Sequence, residues 1–214
     1  MKKILFIFFI TVVLFAQEKK FQINIGFNRS WLIYDDVEIL NRSDFIPKFN
    51  LSLNYNFYQI GSFRITIGLR YYNLGKSLTI NVNSIDKESV KINHYLLSLP
   101  LQLKYRIEIL KINLLLNSEG SYLFKSTFNY DRTFDNYNEK RGITGEMNRF
   151  LFSAGAGLEY NFMVNKELFG LGFILNYMIT EIPQKKTFRN PLGEEYNWIS
   201  YKAKEISFFI SYNF

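Results

Sequence analysis

The 214-residue chain contains no cysteine and a single histidine. The first absence removes disulfides, thiolate metal sites and thiol nucleophiles, and leaves no residue on which a lipoprotein anchor could be built. The second leaves His94 as the only imidazole for acid–base chemistry. No metal-ligand spacing, phosphate-cradling loop or glycosidase-like pair of carboxylates stands out, so no cofactor or metal is expected. Lys and Arg number 26 against 19 Asp and Glu, a net charge of +7. These charges are scattered without a basic stripe or arm, which argues against a nucleic-acid partner. A membrane-spanning helix needs roughly twenty apolar residues, and the run from Ile4 to Phe15, broken by Thr11, is short of that.

That run has the layout of a secretory signal. Lys2 and Lys3 precede it, and Ala16 offers a small residue before Gln17. Residues 1–16 are therefore expected to be removed, leaving residues 17–214 as one domain with a net charge of +5.

Aromatic residues are abundant, with 22 Phe and 15 Tyr, and they fall within segments of strict period-2 alternation. Phe21, Ile23, Ile25 and Phe27 alternate with Gln22, Asn24, Gly26 and Asn28, and Trp31 closes the segment. The same pattern runs through Phe49 to Phe57, Phe63 to Tyr71, His94 to Arg106, Phe150 to Phe162, Phe169 to Tyr177 and Ile206 to Phe214, and more weakly through Ile112 to Phe124. Alternation at period 2 marks a strand with one apolar and one polar face, and about nine to eleven tilted residues cross a bilayer. A turn centred on Ile60 would set Phe63 opposite Phe57, Ile65 opposite Tyr55, Ile67 opposite Leu53 and Leu69 opposite Leu51, with Arg64 and Arg70 facing Asn56 and Asn50 on the other face. A turn through Ile107 to Lys111 would set Glu119 across from Ser98 and Asn117 across from Pro100. Pro100 cannot donate to a ladder and is expected at a bulge.

The fold expected is all-β: an eight-stranded antiparallel up-and-down transmembrane β-barrel behind a cleavable signal peptide. Short connections (Tyr58 to Ser62, Ile107 to Lys111, Met163 to Glu167) alternate with long ones (Leu32 to Ile46, Asn73 to Asn93, Lys125 to Arg149, Thr180 to Tyr201), the pattern of an outer-membrane barrel with periplasmic turns and external loops. Both termini would then be periplasmic. On the apolar face, Phe21, Phe57, Phe63, Tyr105, Phe162, Phe169, Tyr212 and Phe214 gather toward the short turns, and Trp31, Tyr71, Tyr95, Tyr122, Phe150 and Tyr177 toward the long loops. These are expected to be two interfacial girdles. The polar face carries Lys48, Arg64, Arg70, His94, Lys104, Glu119 and Glu159. Charges inside so narrow a barrel must be paired, which predicts Arg64, Lys104 and Glu159 together near the short turns and Arg70, His94 and Glu119 together higher up.

Two stretches carry a family resemblance. Tyr95, Leu96, Leu99, Pro100, Leu101, Lys104 and Tyr105 match a Y-L-x-x-P-L-x-x-K-Y strand, and Gly155, Ala156, Gly157, Glu159 and Tyr160 match G-A-G-x-E-Y. In these the chain resembles the PorT-like family of Gram-negative outer-membrane β-barrels over residues 21–214. The resemblance implies an eight-stranded barrel resident in the outer membrane, with protein secretion as the task of some members.

The function expected is that of an integral outer-membrane protein with a structural or surface-interaction role and a lumen filled by side chains. Its partners would be outer-membrane lipid and lipopolysaccharide, the barrel-assembly machinery during insertion, and a protein or glycan bound by long loops bearing Phe128, Tyr130, Phe134, Tyr137 and Trp198. An accessory part in a secretion machinery is the alternative implied by the resemblance. A lipid-modifying enzyme comes after both, since Ser98, His94 and Glu119 can be drawn as a triad only by selection from many polar residues.

Overall fold

The alternating segments pair into one closed sheet. The computed structural model describes residues 21–34, 47–81, 87–133, 137–184, 187–189, 195–197 and 201–214. The expected signal segment lies outside these residues, as do Phe134, Trp198 and residues 35–46 of the first long connection. Strands β1 (Phe21–Tyr34), β2 (Lys48–Ile60), β3 (Phe63–Asn81), β4 (Lys87–Ile107) and β5 (Ile112–Arg132) follow in a meander. A short β6 (Tyr137–Gly142) and a 3₁₀ turn (Thr144–Glu146) precede β7 (Phe150–Val164) and β8 (Glu167–Met178). The small pair β9 (Thr187–Arg189) and β10 (Glu195–Asn197) comes before β11 (Tyr201–Asn213). Each long strand bonds its neighbours in chain order, β5 pairs with β7, and β11 returns to β1 through pairs such as Ile23↔Tyr212 and Phe27↔Phe208. The result is an eight-stranded antiparallel barrel. Among the described residues no helix is long and apolar enough to cross a membrane.

Burial is inverted relative to a water-soluble protein. Phe27, Leu99, Leu116, Phe208 and Ile210 are exposed on the outside, while Asn24, Asn54, Ser98, Asn117, Ser207 and Ser211 are buried within. Only an apolar surrounding medium makes that arrangement favourable, because exposed apolar area costs free energy in water and buried amides gain nothing there.

Three tight turns close one end of the barrel. Gly61 and Ser62 join Ile60 to Phe63, with Gly61 at φ 54° as the first central position of a type II′ turn requires. Asn165 and Lys166, at φ 49° and 70°, join Val164 to Glu167 as a type I′ turn. Between β4 and β5 the turn spans Glu108 to Lys111, where the Lys111 N–H donates to the Glu108 carbonyl at 3.2 Å.

These turns correct the expected registers. The β2–β3 turn lies past Ile60, so Tyr55 faces Ile67, Leu53 faces Leu69 and Ser52 faces Arg70, two residues from expectation. The two-residue turn sets Tyr58 against Ile65, a register that would have reversed the faces further along; the irregularity between Asn56 and Tyr58 leaves Phe57 unpaired and restores the parity. The β4–β5 pairing is likewise displaced by two, with Pro100 facing Glu119 and Ser98 facing Ser121. Pro100 makes no bulge. The β3–β4 ladder pairs Ile67 with Leu101 and resumes at Arg70 with Ser98 in unchanged register, so the missing N–H leaves a gap rather than a shift. The bulge in the β4–β5 ladder lies on β5, where Phe124 is left unpaired between Lys125 opposite Tyr95 and Leu123 opposite Leu96.

Several strands run past their expected ends, namely β3 to Asn81, β4 back to Lys87, β5 to Arg132 and β11 back to Tyr201. Much of the expected loops at Asn73 to Asn93 and Lys125 to Arg149 is therefore strand. These extensions carry on the backbone pairing of the wall, and Ile92, Val90 and Phe128 keep one face of them against the apolar cluster at the mouth. β5 meets β7 over Ile112 to Tyr122 and then β6 over Thr127 to Arg132, so β3, β4, β5 and β6 stand up as a sheet beyond the barrel wall. From Tyr71 to Asn81 along β3 is about 33 Å of chain at roughly 3.3 Å per residue.

Candidate functional site

The lumen is occupied from the turn end to the loop end by three successive side-chain groups. Nearest the turns, five strands converge on the Glu159 carboxylate. Its Oε1 accepts from Gln22 Nε2 at 2.5 Å and Ser211 Oγ at 2.7 Å, and its Oε2 from Lys104 Nζ at 3.1 Å and Asn113 Nδ2 at 2.9 Å. Lys104 Nζ also donates to Gln22 Oε1 at 2.6 Å. A carboxylate with four donors, one of them a cation, is fully compensated, the condition under which a charge can stay in a dry interior. Gly170 makes room for it: a Cβ there would stand 2.7 Å from Glu159 Oε1.

Higher up, one guanidinium serves two carboxylates. Arg70 Nη1 donates to Glu119 Oε2 at 3.1 Å, and its Nη2 donates to Ser207 Oγ at 2.6 Å and pairs with Glu205 Oε1. Glu119 also accepts from the Ser98 hydroxyl and from Asn117 Nδ2 at 3.3 Å, while Glu205 accepts from Ser207 Oγ at 2.5 Å. The guanidinium lies 4.2 Å from the centre of the Tyr72 ring, which covers its apolar face. Beside this group a cavity of about 20 Å³ is lined by Asn24, Gln102, Asn117 and Phe209; that is space for about one water.

Toward the loops the lumen turns apolar. Tyr72, Leu74, Leu96, Leu123, Leu151, Met178, Tyr201 and Ala203 point inward from the wall, and Ile143, Met147 and Ile182 descend onto them from the connections, all three 0% exposed. Those connections are tied down by backbone. The Ile143 N–H donates to the Ser126 carbonyl at 3.0 Å, the Asn148 N–H to Ile182 at 2.8 Å and the Gln184 N–H to Glu146 at 3.0 Å. Asn148 Nδ2 adds a bond to the Glu181 carbonyl at 2.7 Å. His94 sits within this cap, its Nδ1 2.7 Å from Ser126 Oγ and its Nε2 3.0 Å from Tyr201 Oη.

On the outside, aromatic rings follow one another around the turn end. Tyr160, Phe162, Phe169, Tyr212, Phe214, Phe21 and Tyr55 form a chain with successive centroids 5.1–6.2 Å apart, and Phe63 and Tyr105 make a separate pair at 4.8 Å. Phe57, the unpaired residue of the β2 irregularity, is exposed. At the loop end Tyr71 and Tyr95 both meet Phe124, and Tyr122 meets Phe150. Trp31 carries the Arg29 guanidinium and Tyr177 the Lys204 ammonium.

Of the interior charges singled out from sequence, Lys104 and Glu159 meet directly, as do Arg70 and Glu119. Arg64 instead donates to Gln59 Oε1 at 3.2 Å, because the turn past Ile60 places these two opposite each other at the rim. Lys48 donates to Asn93 Oδ1 at 2.7 Å near the loops. His94 joins neither carboxylate, being level with Leu74, two inward positions above Arg70, and held by Ser126 and Tyr201. The triad drawn on paper is thus not assembled: the Ser98 hydroxyl meets Glu119, but His94 faces elsewhere. Sequence reasoning missed Glu205, Gln22 and Tyr201. The signal for Glu205 and Tyr201 was present, since the inward alternation Asn213, Ser211, Phe209, Ser207 extends backward to both.

A family model described as an outer membrane protein beta-barrel domain matches residues 15–182. Among solved structures, Ail, the attachment invasion locus protein of Yersinia pestis, is 15% identical, with 91% of this chain and 98% of that chain covered at a TM-score of 0.47. Neisserial surface protein A is 11% identical over 91% and 97% of the two chains, with a TM-score of 0.44. The N-terminal barrel domain of Pseudomonas aeruginosa OprF is 10% identical over 90% and 97%, with a TM-score of 0.41. Among curated proteins nothing matches.

Proposed function

This chain belongs to the family of outer membrane protein beta-barrel domains, and from that membership we propose that it is an integral outer-membrane protein acting through its loop-end surface, with a lumen that passes no solute. The observation that carries this reading is a contrast between the barrel's two ends. The lumen is crossed by two ion-paired groups and an apolar cap, with a cavity of only about 20 Å³ beside the central one. The strands β3 to β6 nevertheless continue past the wall as a paired sheet whose last strand, β6, pairs only with β5 among the described residues. A raised sheet with an available edge offers backbone donors and acceptors to an extended partner. Within the reading, the buried ion pairs hold the wall in register, the two sets of aromatic rings sit at the bilayer interfaces, the short turns and both termini are periplasmic, and residues 1–16 are a cleaved leader. Insertion would depend on the barrel-assembly machinery.

The PorT-like resemblance of Tyr95 to Tyr105 and Gly155 to Tyr160 suggests that the surface partner belongs to a secretion machinery. One experiment separates the possibilities. Cells are treated with a membrane-impermeant cross-linker and the protein is purified from solubilised outer membranes, wild type alongside a variant in which residues 77–87 are replaced by a short turn. A partner captured by wild type and lost in the variant supports the surface role, and a stoichiometric secretion component assigns it to secretion. Identical capture by both overturns the role given to the raised sheet, and large stable conductance in planar bilayers overturns the closed lumen.

A further inference from the structure

The central interior group carries more negative charge than positive. Arg70 is the one cation set between two carboxylates, Glu119 and Glu205, and all three residues are buried. The inward ammonium groups elsewhere are engaged apart from it, Lys104 with Glu159 toward the turns and Lys48 with Asn93 Oδ1 at 2.7 Å toward the loops. Beside this group lies the cavity of about 20 Å³. Three amide oxygens of its lining residues, Asn24 Oδ1, Gln102 Oε1 and Asn117 Oδ1, accept no hydrogen bond among the described residues, although these residues are only 4–5% exposed. Gln102 and Asn117 are opposite one another in the β4–β5 ladder, and Asn24 comes from β1 on the opposite wall. Asn117 Nδ2 is taken up by Glu119 Oε2 at 3.3 Å and Asn176 Oδ1 at 3.0 Å, so its oxygen is the end left over. The lining holds one unpaired donor in return, Asn50 Nδ2.

A buried oxygen without a donor is unfavourable, and a buried charge without a counter-charge is more so. A water in this space has two hydrogens to give, and with Asn50 it serves the three oxygens, yet the negative charge stays as it was. A proton on Glu119 or Glu205 answers the charge, but it takes an ion-pair partner from Arg70 and leaves the oxygens as they were. One monovalent cation answers both, since amide and carbonyl oxygens can replace the hydration shell of an alkali ion, and the space of about one water is also the space of such an ion. Arg70 borders the cavity too, but its two carboxylates outweigh it. A divalent ion would overshoot the charge and calls for more carboxylates than this cavity offers. We propose that the cavity holds one dehydrated sodium or potassium ion, coordinated by Asn24 Oδ1, Gln102 Oε1 and Asn117 Oδ1 with the Glu119 carboxylate alongside, and that this ion neutralises the Arg70–Glu119–Glu205 group. The donors are amides from three strands, a set without the spacing of a metal motif.

The test is reversible urea unfolding of the purified barrel in neutral detergent micelles, in sodium, potassium and choline chloride at equal ionic strength. At a fixed urea concentration the folded-to-unfolded ratio is expected to rise about tenfold for each tenfold rise in the preferred alkali ion above its Kd, and not to rise with choline, which is too large for the cavity. Glu205→Gln neutralises the group without altering the cavity lining, and Gln102→Met removes one of the oxygens; each should lose most of the alkali dependence. Gly142→Ala on β6, where a Cβ meets nothing within 4 Å, should keep it. A heat-dependent shift on gels verifies that each variant is folded. Equal ratios in the three salts, as a water or a proton at the site would give, overturn the proposal. Alkali dependence that persists unchanged in Glu205→Gln and Gln102→Met overturns it as well, because the ion would then lie elsewhere.

Discussion

Phe21 and Phe214 exchange both of their backbone hydrogen bonds, the Phe21 N–H donating to the Phe214 carbonyl at 3.1 Å and the Phe214 N–H to Phe21 at 2.9 Å. Their rings stack outside at 5.9 Å, with Tyr55 against Phe21 and Tyr212 against Phe214. The seam that turns a sheet into a barrel therefore begins at its aromatic rim. Each such ring pair is worth about 0.5–1.5 kcal/mol. Phe214→Ala removes two of them at the last rung, and should lower the folded fraction recovered from membranes and the temperature at which the protein loses its fast-migrating form on gels. Unchanged recovery and an unchanged transition would show that the rung closes without the rings.

Removing the shared cation of the central group should be severe. Arg70 separates Glu119 from Glu205, and with Arg70→Met the two buried carboxylates face each other without it. Breaking a buried pair from one side costs about 3–5 kcal/mol, measurable as a lowered urea midpoint in micelles. Adding Glu119→Gln and Glu205→Gln removes the stranded charges and should recover most of the loss. A triple variant no more stable than the single one would refute the account.

How much of this was legible in the sequence depended on apolar contrast. Where Leu, Ile and Phe alternate with Asn, Ser and Gly, as from Phe21 to Phe27 or Phe150 to Phe162, the strand and its inward face could be read off directly. The pairing between strands was less accessible. Both hairpins differ from expectation by two residues, because a period-2 pattern fixes face but is blind to even shifts, and only the turns, at Gly61 in one hairpin and at Glu108 to Lys111 in the other, decide between them. The lumen followed the same logic. Lys104 and Glu159 were assigned to one level by their distance from the turns and do meet. His94 was assigned by the same reckoning to the Arg70 group and is instead held two inward positions above it, while Arg64 shares the turn end with Glu159 but makes its hydrogen bond to Gln59. The cap was invisible: Ile143, Met147 and Ile182 belong to no alternating segment.

Gly170 tests the packing around Glu159. A methyl group there would approach both Ser211 Oγ and Glu159 Oε1 more closely than a real Cβ does, and neither can withdraw without surrendering the bond between them. Overpacking of this kind costs about 1–3 kcal/mol. Gly170→Ala should therefore destabilise the barrel in a denaturant titration, whereas Gly142→Ala on β6, where a Cβ meets nothing within 4 Å, should leave it unchanged. Equal midpoints for the two variants would contradict the close fit seen at Glu159.

The cap is predicted to detach without unfolding the wall beneath it. Met147 and Ile182 are fully buried, but they come from connections, and the polar groups holding the barrel in register, Arg70 with Glu119 and Lys104 with Glu159, do not touch them. Burying a carboxylate without a partner is unfavourable by several kcal/mol, so Met147→Asp with Ile182→Asp should expel both segments from the apolar mouth. Arg141, now half-buried with Glu139 and Glu146 as its partners, and Arg149, whose Nη1 donates to the Leu123 carbonyl at 3.2 Å, would then be presented to trypsin. Limited proteolysis of the double variant should cut after these two residues at least tenfold faster than in wild type, while the heat-dependent gel shift of the barrel persists. Loss of that shift together with faster cutting would mean that cap and wall unfold as one unit, and that the apolar cluster is part of what closes the barrel.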